Sequence, residues 1–531
     1  MPVWPKSFYT FGVNLKSAAT EWKLRHKLAA SADQSRALAT LLPRLAAASH
    51  WQAAGIEAGL TYEKFQRRVA PRTYEQLAPA IEQMKRGEAD VLWPGRCSLF
   101  ARSSGTTTGY AKMLPVTEEM LAHFRRATRE SLLYYTVRAR HAGMFRGRHL
   151  LLGSSTALVP VDGANPPTAF ATELTGIVAI GLPTWVERHL YEPGATAAEI
   201  SDWEERIDAI VARTCNCDVT LLAGLPNWAL LLSRELRERG QNSGQPSARL
   251  QTLWPNLECL VHTGIPLTPF TDQLRQALGP KVRFHEVYAA AEGFVATQDT
   301  DAPAAGLRVM TDLGIFFEFI PAADFDEARI EQLGPKAVPL AGVKPGMDYA
   351  VLVTTPAGLV RTALGDVVRF VSTEPPRLIY VGRTALQLNV FTERVSEKEI
   401  TDSLVAVCVR HDWTIVNFHV APLLAKGGMT GQIRGCHEWW VELIPGTVTT
   451  PKGPQIGEAV DLELQRMNPD YAARRRSGVL GAPTVRLVMP GVFEHLLRHV
   501  GKWGGQHKLR RCSNDRGFAD PLAQITNFAR D

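Results

Sequence analysis

The 531-residue sequence predicts an α/β protein: a large N-terminal domain with mainly parallel sheets and a β subdomain, followed by a smaller α+β C-terminal domain. Three observations carry that expectation. From Cys97 onward, short apolar runs divided by Gly, Pro and Ser alternate with helical stretches, an order that gives parallel strands covered by helices on both faces. After Gly314 the helices thin out, and strand-like runs joined by tight turns succeed one another. Beyond Arg383 helices and strands mix again over a length suited to a compact second unit, which sets the domains at 1–383 and 384–531.

The first 90 residues read as a helical lead-in, with apolar residues recurring at Leu38, Leu41, Leu42 and Leu45 and with Pro43 bound to kink or end that helix. Strands are expected next at 98–101, 149–152, 219–222, 257–261 and 282–287. A helix should start at Thr117, whose hydroxyl can cap it while Glu118 and Glu119 suit the positive end of its dipole, and another near Pro226. The β subdomain should hold strands at 315–320, 349–354, 359–361, 367–371 and 378–381, with Pro356-Ala357-Gly358 as one of its turns. The C-terminal order is helix 396–410, strands 414–420 and 438–443, helix 457–467 with another after Pro469, strand 485–488 and helix 493–500. There is no internal repeat, and the stretches that read as flexible are 241–247 and 426–435.

Composition narrows the function classes. With 45% apolar and 21% charged residues the chain reads as soluble and globular, and no run of 18 apolar residues is present to span a membrane. Residues 1–16 lack the apolar block of a secretory signal, so a cytoplasmic location is expected. Seven Cys, an odd number without paired metal-ligand spacing, read as reduced thiols; Cys215 and Cys217 form a lone CxC with too few ligands near it for a metal. The net charge of +6 is small, and the one basic triplet, Arg474-Arg475-Arg476, reads as a solvated helix face, so neither nucleic acid nor membrane is an expected partner.

The strongest chemical signal is Ser103-Ser104-Gly105-Thr106-Thr107-Thr108-Gly109-Tyr110-Ala111-Lys112. Glycines let backbone N–H groups approach an anion, the hydroxyls add donors, and Lys112 can offset negative charge, so the composition suits phosphate. It is not a Walker A loop, which needs four residues between its glycines and Lys directly after the second. A Ser/Thr-rich surface turn has the same composition, so other segments must decide. They are His262-Thr263-Gly264-Ile265-Pro266-Leu267, Val287-Tyr288-Ala289-Ala290-Ala291-Glu292-Gly293, Val360-Arg361-Thr362-Ala363-Leu364-Gly365-Asp366, Gly382-Arg383 with Leu388-Asn389, and Gly504-Gly505-Gln506-His507-Lys508-Leu509-Arg510-Arg511. Each alone also reads as a plain turn, a core tyrosine beside a solvated glutamate, a hairpin or a solvated tail.

In this order the segments resemble the signatures of adenylate-forming enzymes, and specifically the auxin-responsive Gretchen Hagen family of acyl acid amido synthetases. The resemblance implies ATP and magnesium as cofactors. By the same resemblance, Ser103, Ser104, Gly105, Thr106, Thr107, Gly109 and Lys112 would cradle the phosphates, and Gly264, Ile265 and Pro266 would run beside the adenine. Tyr288 would pack on the base, and Glu292 would be both a catalytic residue and the metal ligand; an aromatic face suits a flat base, and a hard cation prefers carboxylate and phosphate oxygens. Ala291 stands where the family usually has Ser or Thr, which removes one hydroxyl contact to the nucleotide. Asp366 would accept both ribose hydroxyls, with Val360 in place of the usual Tyr. Arg383 would contact the nucleotide at the hinge of a mobile C-terminal domain. The acidic hinge residue of related ligases is replaced around Ala385 and Leu386, and Asn389 stands where a Lys is often found, which is closer to the amido synthetase pattern. Lys508 would be the mobile catalytic lysine, with Arg510 where a Pro often follows.

The implied reaction activates a carboxylic acid as its acyl-adenylate and passes the acyl group to an amine, of an amino acid or another acceptor. Lys508 would bridge the attacking carboxylate and the α-phosphate as the pentavalent transition state forms, and domain rotation would then admit the amine. An acid pocket is expected between the Thr117 helix and the sheet, walled by Arg125, Arg126, Arg129 and Tyr134, although arginines so spaced more often face solvent. Two other readings stay open: coenzyme A or a carrier thiol as acceptor, and a nucleotide-binding homologue that has lost catalysis, motivated by Ala291, Val360 and Arg510. The abundance of Arg over Lys and the many Ala point to a bacterial member.

Overall fold

The computed structural model describes residues 6–25, 30–103, 112–161, 163, 167–242, 249–264, 267, 270–384, 387–424, 435–444, 452–499 and 509–528. The chain forms two compact units, Met1–Ile265 with Gln273–Tyr380, and Pro266–Asp272 with Val381–Asp531. The fold is mixed α/β, with a large sheet-rich first unit and a smaller second one. No helix among the described residues is long and apolar enough to cross a membrane.

A twelve-stranded sheet dominates the first unit. Its parallel part holds Tyr191–Glu192, Arg148–Leu152, Val219–Gly224, Cys259–His262 and Arg283–Ala290, side by side in that order. These strands are continuous apolar runs because both of their faces are covered; Val219 through Leu222 are all buried. On its other edge Arg283–Ala290 pairs antiparallel with Gly293–Thr297. The sheet then continues through Leu307–Val309, Pro376–Arg383, Thr362–Thr373, Asp348–Thr354 and Phe316–Pro321 to Val338–Pro339. Here burial alternates, as along Thr362–Thr373, because one face packs on the core and the other does not. A separate four-stranded sheet orders Met113–Pro115, Leu99–Arg102, Phe170–Glu173 and Val159–Pro160.

The lead-in is helical, with Lys6–Arg25, Ala30–Leu45, Ser49–Ala53, Tyr62–Arg68 and Tyr74–Lys85. Pro43 lies inside its helix, which ends two residues later at Leu45, consistent with the lost N–H bond and the clash with the preceding turn. Leu38, Leu41, Leu42, Leu45 and Trp51 join Phe317 and Phe319 of the sheet in one core. The Trp51 indole donates to the Leu92 and Gly358 carbonyls at 3.1 and 3.0 Å, which ties the lead-in to the Pro356-Ala357-Gly358 turn. That turn requires its glycine: φ at Gly358 is +81°, and a Cβ there would stand 2.1 Å from the Leu92 carbonyl oxygen. The helix expected at Thr117 is Glu118–Ala139; the Thr117 hydroxyl accepts the Met120 N–H at 3.1 Å and donates to the Pro356 carbonyl at 2.6 Å. The helix expected near Pro226 is Pro226–Asn242.

One expected strand is absent: residues 359–361 are not a strand, and pairing begins at Thr362. Arg361 interrupts it. Its φ is +47°, and its fully buried guanidinium takes Glu318 with two bonds of 2.9 Å and donates to the Val69, Gln66 and Gly334 carbonyls at 2.5, 2.9 and 3.2 Å. The need to satisfy a buried charge fixes the backbone here, over the strand propensity of Leu359 and Val360.

The second unit is built on three strands, Thr414–Leu424 antiparallel to Gly435–Ile444 and this parallel to Thr484–Val488. Alternate residues feed two faces. Trp439 and Val441 join the helices Glu397–His411 and Gly453–Met467 through Ile400, Leu404, Ile456 and Val460, while Trp440 and Ala421 join Val492–His499 and Ala519–Phe528 through Phe493 and Leu522. Ser396 caps its helix in a reciprocal pair with Glu399. The basic triplet is not a uniformly solvated face. Arg475 turns inward onto Asp461 with two bonds of 2.7 Å and onto the Leu480 carbonyl at 2.9 Å, because the Tyr471 hydroxyl and Arg475 together satisfy a carboxylate that the helix pair buries. All seven cysteines are free thiols. The stretches expected to be flexible fall largely outside the described residues.

Candidate active site

The Ser/Thr/Gly loop is carried by a hairpin. Leu99–Arg102 pairs antiparallel with Met113–Pro115, and the ladder closes at Ser103 and Lys112: the Ser103 N–H donates to the Lys112 carbonyl at 2.9 Å and the Lys112 N–H to the Ser103 hydroxyl at 3.2 Å. Ser104, Gly105, Thr106, Thr107 and Gly109 lie outside the described residues. Tyr74, a residue the sequence did not single out, braces the base of the loop. Its hydroxyl accepts the Met113 N–H at 2.9 Å and donates to the Met113 carbonyl at 3.2 Å. Lys112 lies over the Tyr74 ring, 5.1 Å from its centroid, and 3.3 Å from the Glu75 carboxylate. Burial pushes the Tyr74 phenol up, its bond to Met113 opposes the push, and the carboxylates of Glu82, Glu75 and Glu292 add to it. Thr73 and Gln76 mark a helix start in the sequence, but nothing local foretells a bond to Met113.

Tyr288 and Glu292 come from the strand where parallel pairing gives way to antiparallel. The last parallel pair on this strand is His262 with Glu286; Tyr288 lies beyond it, and Ala291 and Glu292 form the two-residue turn into Gly293–Thr297. Gly264, with φ +85°, follows the end of the neighbouring strand. These residues therefore sit at the carboxyl ends of parallel strands, where open α/β sheets bind ligands.

Asp366 reaches the same place from 78 residues away: the Tyr288 hydroxyl donates to its carboxylate at 2.7 Å, with both groups buried. A bulge aims it. Ala350 pairs with Val367 and Leu352 with Ala363, so Leu364, Gly365 and Asp366 lie opposite Val351 alone, and Gly365 takes the φ of +75° that this needs. Tyr380, also unforeseen, sets its ring edgewise to Tyr288 at 5.9 Å. Val360 is fully buried in the main core and Ala291 is half-buried in the turn.

The other candidates are distributed as follows. Arg383 ends its strand and falls in the second unit with Val381 and Gly382. Ile265, Pro266, Ala385, Leu386 and Lys508 lie outside the described residues. The Asn389 N–H donates to the Asn514 side chain at 2.9 Å. On the Glu118–Ala139 helix, Arg125 is exposed and donates to the Gly181 carbonyl, Arg126 meets Asp312 at 3.2 Å, Arg129 meets its neighbour Glu130 at 3.6 Å, and Tyr134 is buried in the main core. These four side chains do not converge on one partner. Among the described residues no group of three or more His, Cys, Asp or Glu is placed to hold a metal ion.

Residues 25–158 match the GH3 family N-terminal domain, 308–383 the GH3 family central domain and 398–517 the GH3 family C-terminal domain. Indole-3-acetic acid-amido synthetase GH3.8 of Oryza sativa subsp. indica is 24% identical, over 91% of this chain and 88% of that protein. Jasmonoyl--L-amino acid synthetase JAR4 of Nicotiana attenuata is 26% identical over 49% of this chain and 45% of its own length. The fold is similar to that of AtGH3.15 acyl acid amido synthetase in complex with 2,4-DB, at a TM-score of 0.74 and 17% identity, covering 99% of this chain and 97% of that one. It is also similar to 2-hydroxyisobutyryl-CoA ligase in its postadenylation state, at a TM-score of 0.57 and 15% identity, covering 94% and 92% of the two chains.

Proposed function

The chain belongs to the GH3 family, whose three domains it matches in order, and from that premise we propose that it is an ATP-dependent acyl acid amido synthetase. A carboxylate is a poor acylating agent because oxide is a bad leaving group. Transfer to the α-phosphorus of ATP releases pyrophosphate and leaves an acyl-adenylate, from which AMP departs readily when the amine of an amino acid or another acceptor attacks the acyl carbonyl. The observation that carries the reading is the meeting of Tyr288 and Asp366 at 2.7 Å, at the strand ends and buried beside a two-residue turn that presents a carboxylate.

In this reading Ser103 and the hydroxyls and glycines that follow it hold the phosphates, Tyr288 offers its ring to the base, and Asp366 accepts the ribose hydroxyls. A carboxylate has lone pairs enough to take the Tyr288 hydroxyl and a sugar hydroxyl together. Gly264, Ile265 and Pro266 flank the base, Arg383 meets the nucleotide, Lys508 aligns the attacking acid, and Arg125 is offered to the acid's carboxylate. Magnesium bound with a nucleotide takes most of its ligands from phosphate and water and asks the protein for one or two carboxylates. Glu292, in the two-residue turn that ends the strand carrying Tyr288, would meet that demand. When bound, the ion would offset phosphate charge.

The test supplies ATP, a panel of carboxylic acids and either amino acids or coenzyme A, with products read by mass spectrometry. Amide formation is expected; thioester alone would transfer the reading to a thiol ligase. Acid-dependent exchange of labelled pyrophosphate into ATP separates an enzyme from a homologue that only binds the nucleotide. Lys508→Ala should suppress that exchange while leaving ATP binding largely intact.

A further inference from the structure

His123 lies on the second turn of the Glu118–Ala139 helix, 4% exposed and bonded at both ring nitrogens. Nδ1 is 2.8 Å from the Leu313 carbonyl, and Nε2 is 3.0 Å from the Phe294 N–H. A carbonyl can only accept and an amide N–H can only donate, so the ring carries its proton on Nδ1 and its lone pair on Nε2. Imidazolium could not accept from Phe294, and burial holds the ring neutral, with its pKa down at about 4.

Phe294 is two residues beyond Glu292. Gly293 and Phe294 pair with Ala290 and Ala289 across the turn, and the register shifts directly afterwards, from Phe294–Ala289 to Ala296–Tyr288, so the bond to the ring is made at the last regular pair beside the turn. The helix that holds the ring is itself fixed by the Thr117 cap, which leaves His123 as a rigid stop against which the turn is seated.

We infer that His123 is a positioning residue for the Ala291–Glu292 turn, setting through the Phe294 N–H where the Glu292 carboxylate meets a magnesium nucleotide. The inference rests on the role proposed above for Glu292. Partners that orient a metal-binding carboxylate govern affinity for the ion although they never touch it.

The test is calorimetric titration of the full-length protein with ATP, with and without magnesium, which needs no acid substrate. Magnesium should tighten ATP binding by the wild-type chain. His123→Asn keeps a donor for Leu313 but is too short to reach Phe294, and should lose roughly tenfold of that tightening. His123→Gln can donate at one end and accept at the other, and should retain most of it. In the His123→Asn/Glu292→Gln double variant the histidine change should add nothing to the loss caused by Glu292→Gln. If Glu292→Gln leaves the magnesium effect intact, the role of Glu292 falls, and this inference with it. If Glu292→Gln abolishes the effect while His123→Asn preserves it, or weakens ATP binding equally with and without magnesium, the inference alone is overturned.

Discussion

Tyr288→Phe isolates the contact on which the site is built. It keeps the ring and deletes a hydroxyl that donates to Asp366 at 2.7 Å, between groups that are 8% and 5% exposed. A hydrogen bond to a charged acceptor is worth ~1.5–3 kcal/mol. Asp366 has further interactions, so the lower end of that range applies. Without the hydroxyl the Asp366 carboxylate is no longer held in place for the ribose hydroxyls, so the loss appears in binding. At about 1.4 kcal/mol per factor of ten, ATP affinity should fall about tenfold. Calorimetric titration with ATP and with 2′,3′-dideoxy-ATP measures it. The effect should pass through Asp366 to the ribose hydroxyls, so the dideoxy nucleotide, already deprived of them, should bind both proteins alike. An unchanged ATP affinity, or an equal loss for both nucleotides, would refute the reasoning.

Arg361→Ala leaves Glu318 buried without its two-bond partner, a loss of ~3–5 kcal/mol; thermal unfolding should move down by several degrees, and a shift under about 1 °C would show that the pair is not holding the sheet. Asn468→Ala removes a cap from Pro469–Arg476, where Asn468 accepts the Tyr471 N–H at 2.8 Å and donates to the Arg394 carbonyl at 3.1 Å. It should cost ~1–2 kcal/mol in urea unfolding, and an unmoved midpoint would contradict it. Burial pushes the His123 and His262 rings down to about 4 and about 3, and His285 well below its ordinary value. Unfolded, each takes a proton near 6.5, while folded it does not until far lower. Stability should therefore be complete above that pH and erode as pH falls toward 4, by roughly 1 kcal/mol per pH unit for each ring, read as urea midpoints across the range. Equal midpoints at neutral and mildly acidic pH would refute it.

The elements most legible in the sequence are those whose signal is local. A parallel strand such as Val219–Gly224, buried on both faces, must be a short apolar run, and the cap at Thr117 names itself within three residues. Tyr288, Glu292 and Asp366 stand out in sequence by motif, and two of the three are in contact. Long-range pairing leaves no such trace. Nothing in Leu307–Val309 says that it separates Gly293–Thr297 from Pro376–Arg383, and nothing in Tyr74 or Tyr380 announces their partners. The bulge that aims Asp366 was signalled only by Gly365, which reads equally as a hairpin residue. The strand expected at 359–361 and the solvated face expected at 474–476 failed for one reason: the carboxylate that draws Arg361 or Arg475 inward, 43 residues away for the first and 14 for the second, is not visible in the local sequence.

The strand Arg283–Ala290 is bonded to one neighbour running the same way and to another running the opposite way, with His285 and Tyr288 pointing to opposite faces. Losing a single amino acid between those two would swap the faces of everything beyond the gap, turning the phenol toward the covering helix. Libraries that scatter insertions and deletions along the gene should therefore yield no active clone altered between 285 and 293. The corner at 344–347 is exposed, yet its Gly346 N–H donates to the Phe370 carbonyl at 2.8 Å and its Lys344 N–H to the Tyr349 hydroxyl at 2.9 Å, so added residues there should cost stability while leaving the direction of the Tyr288 side chain unchanged.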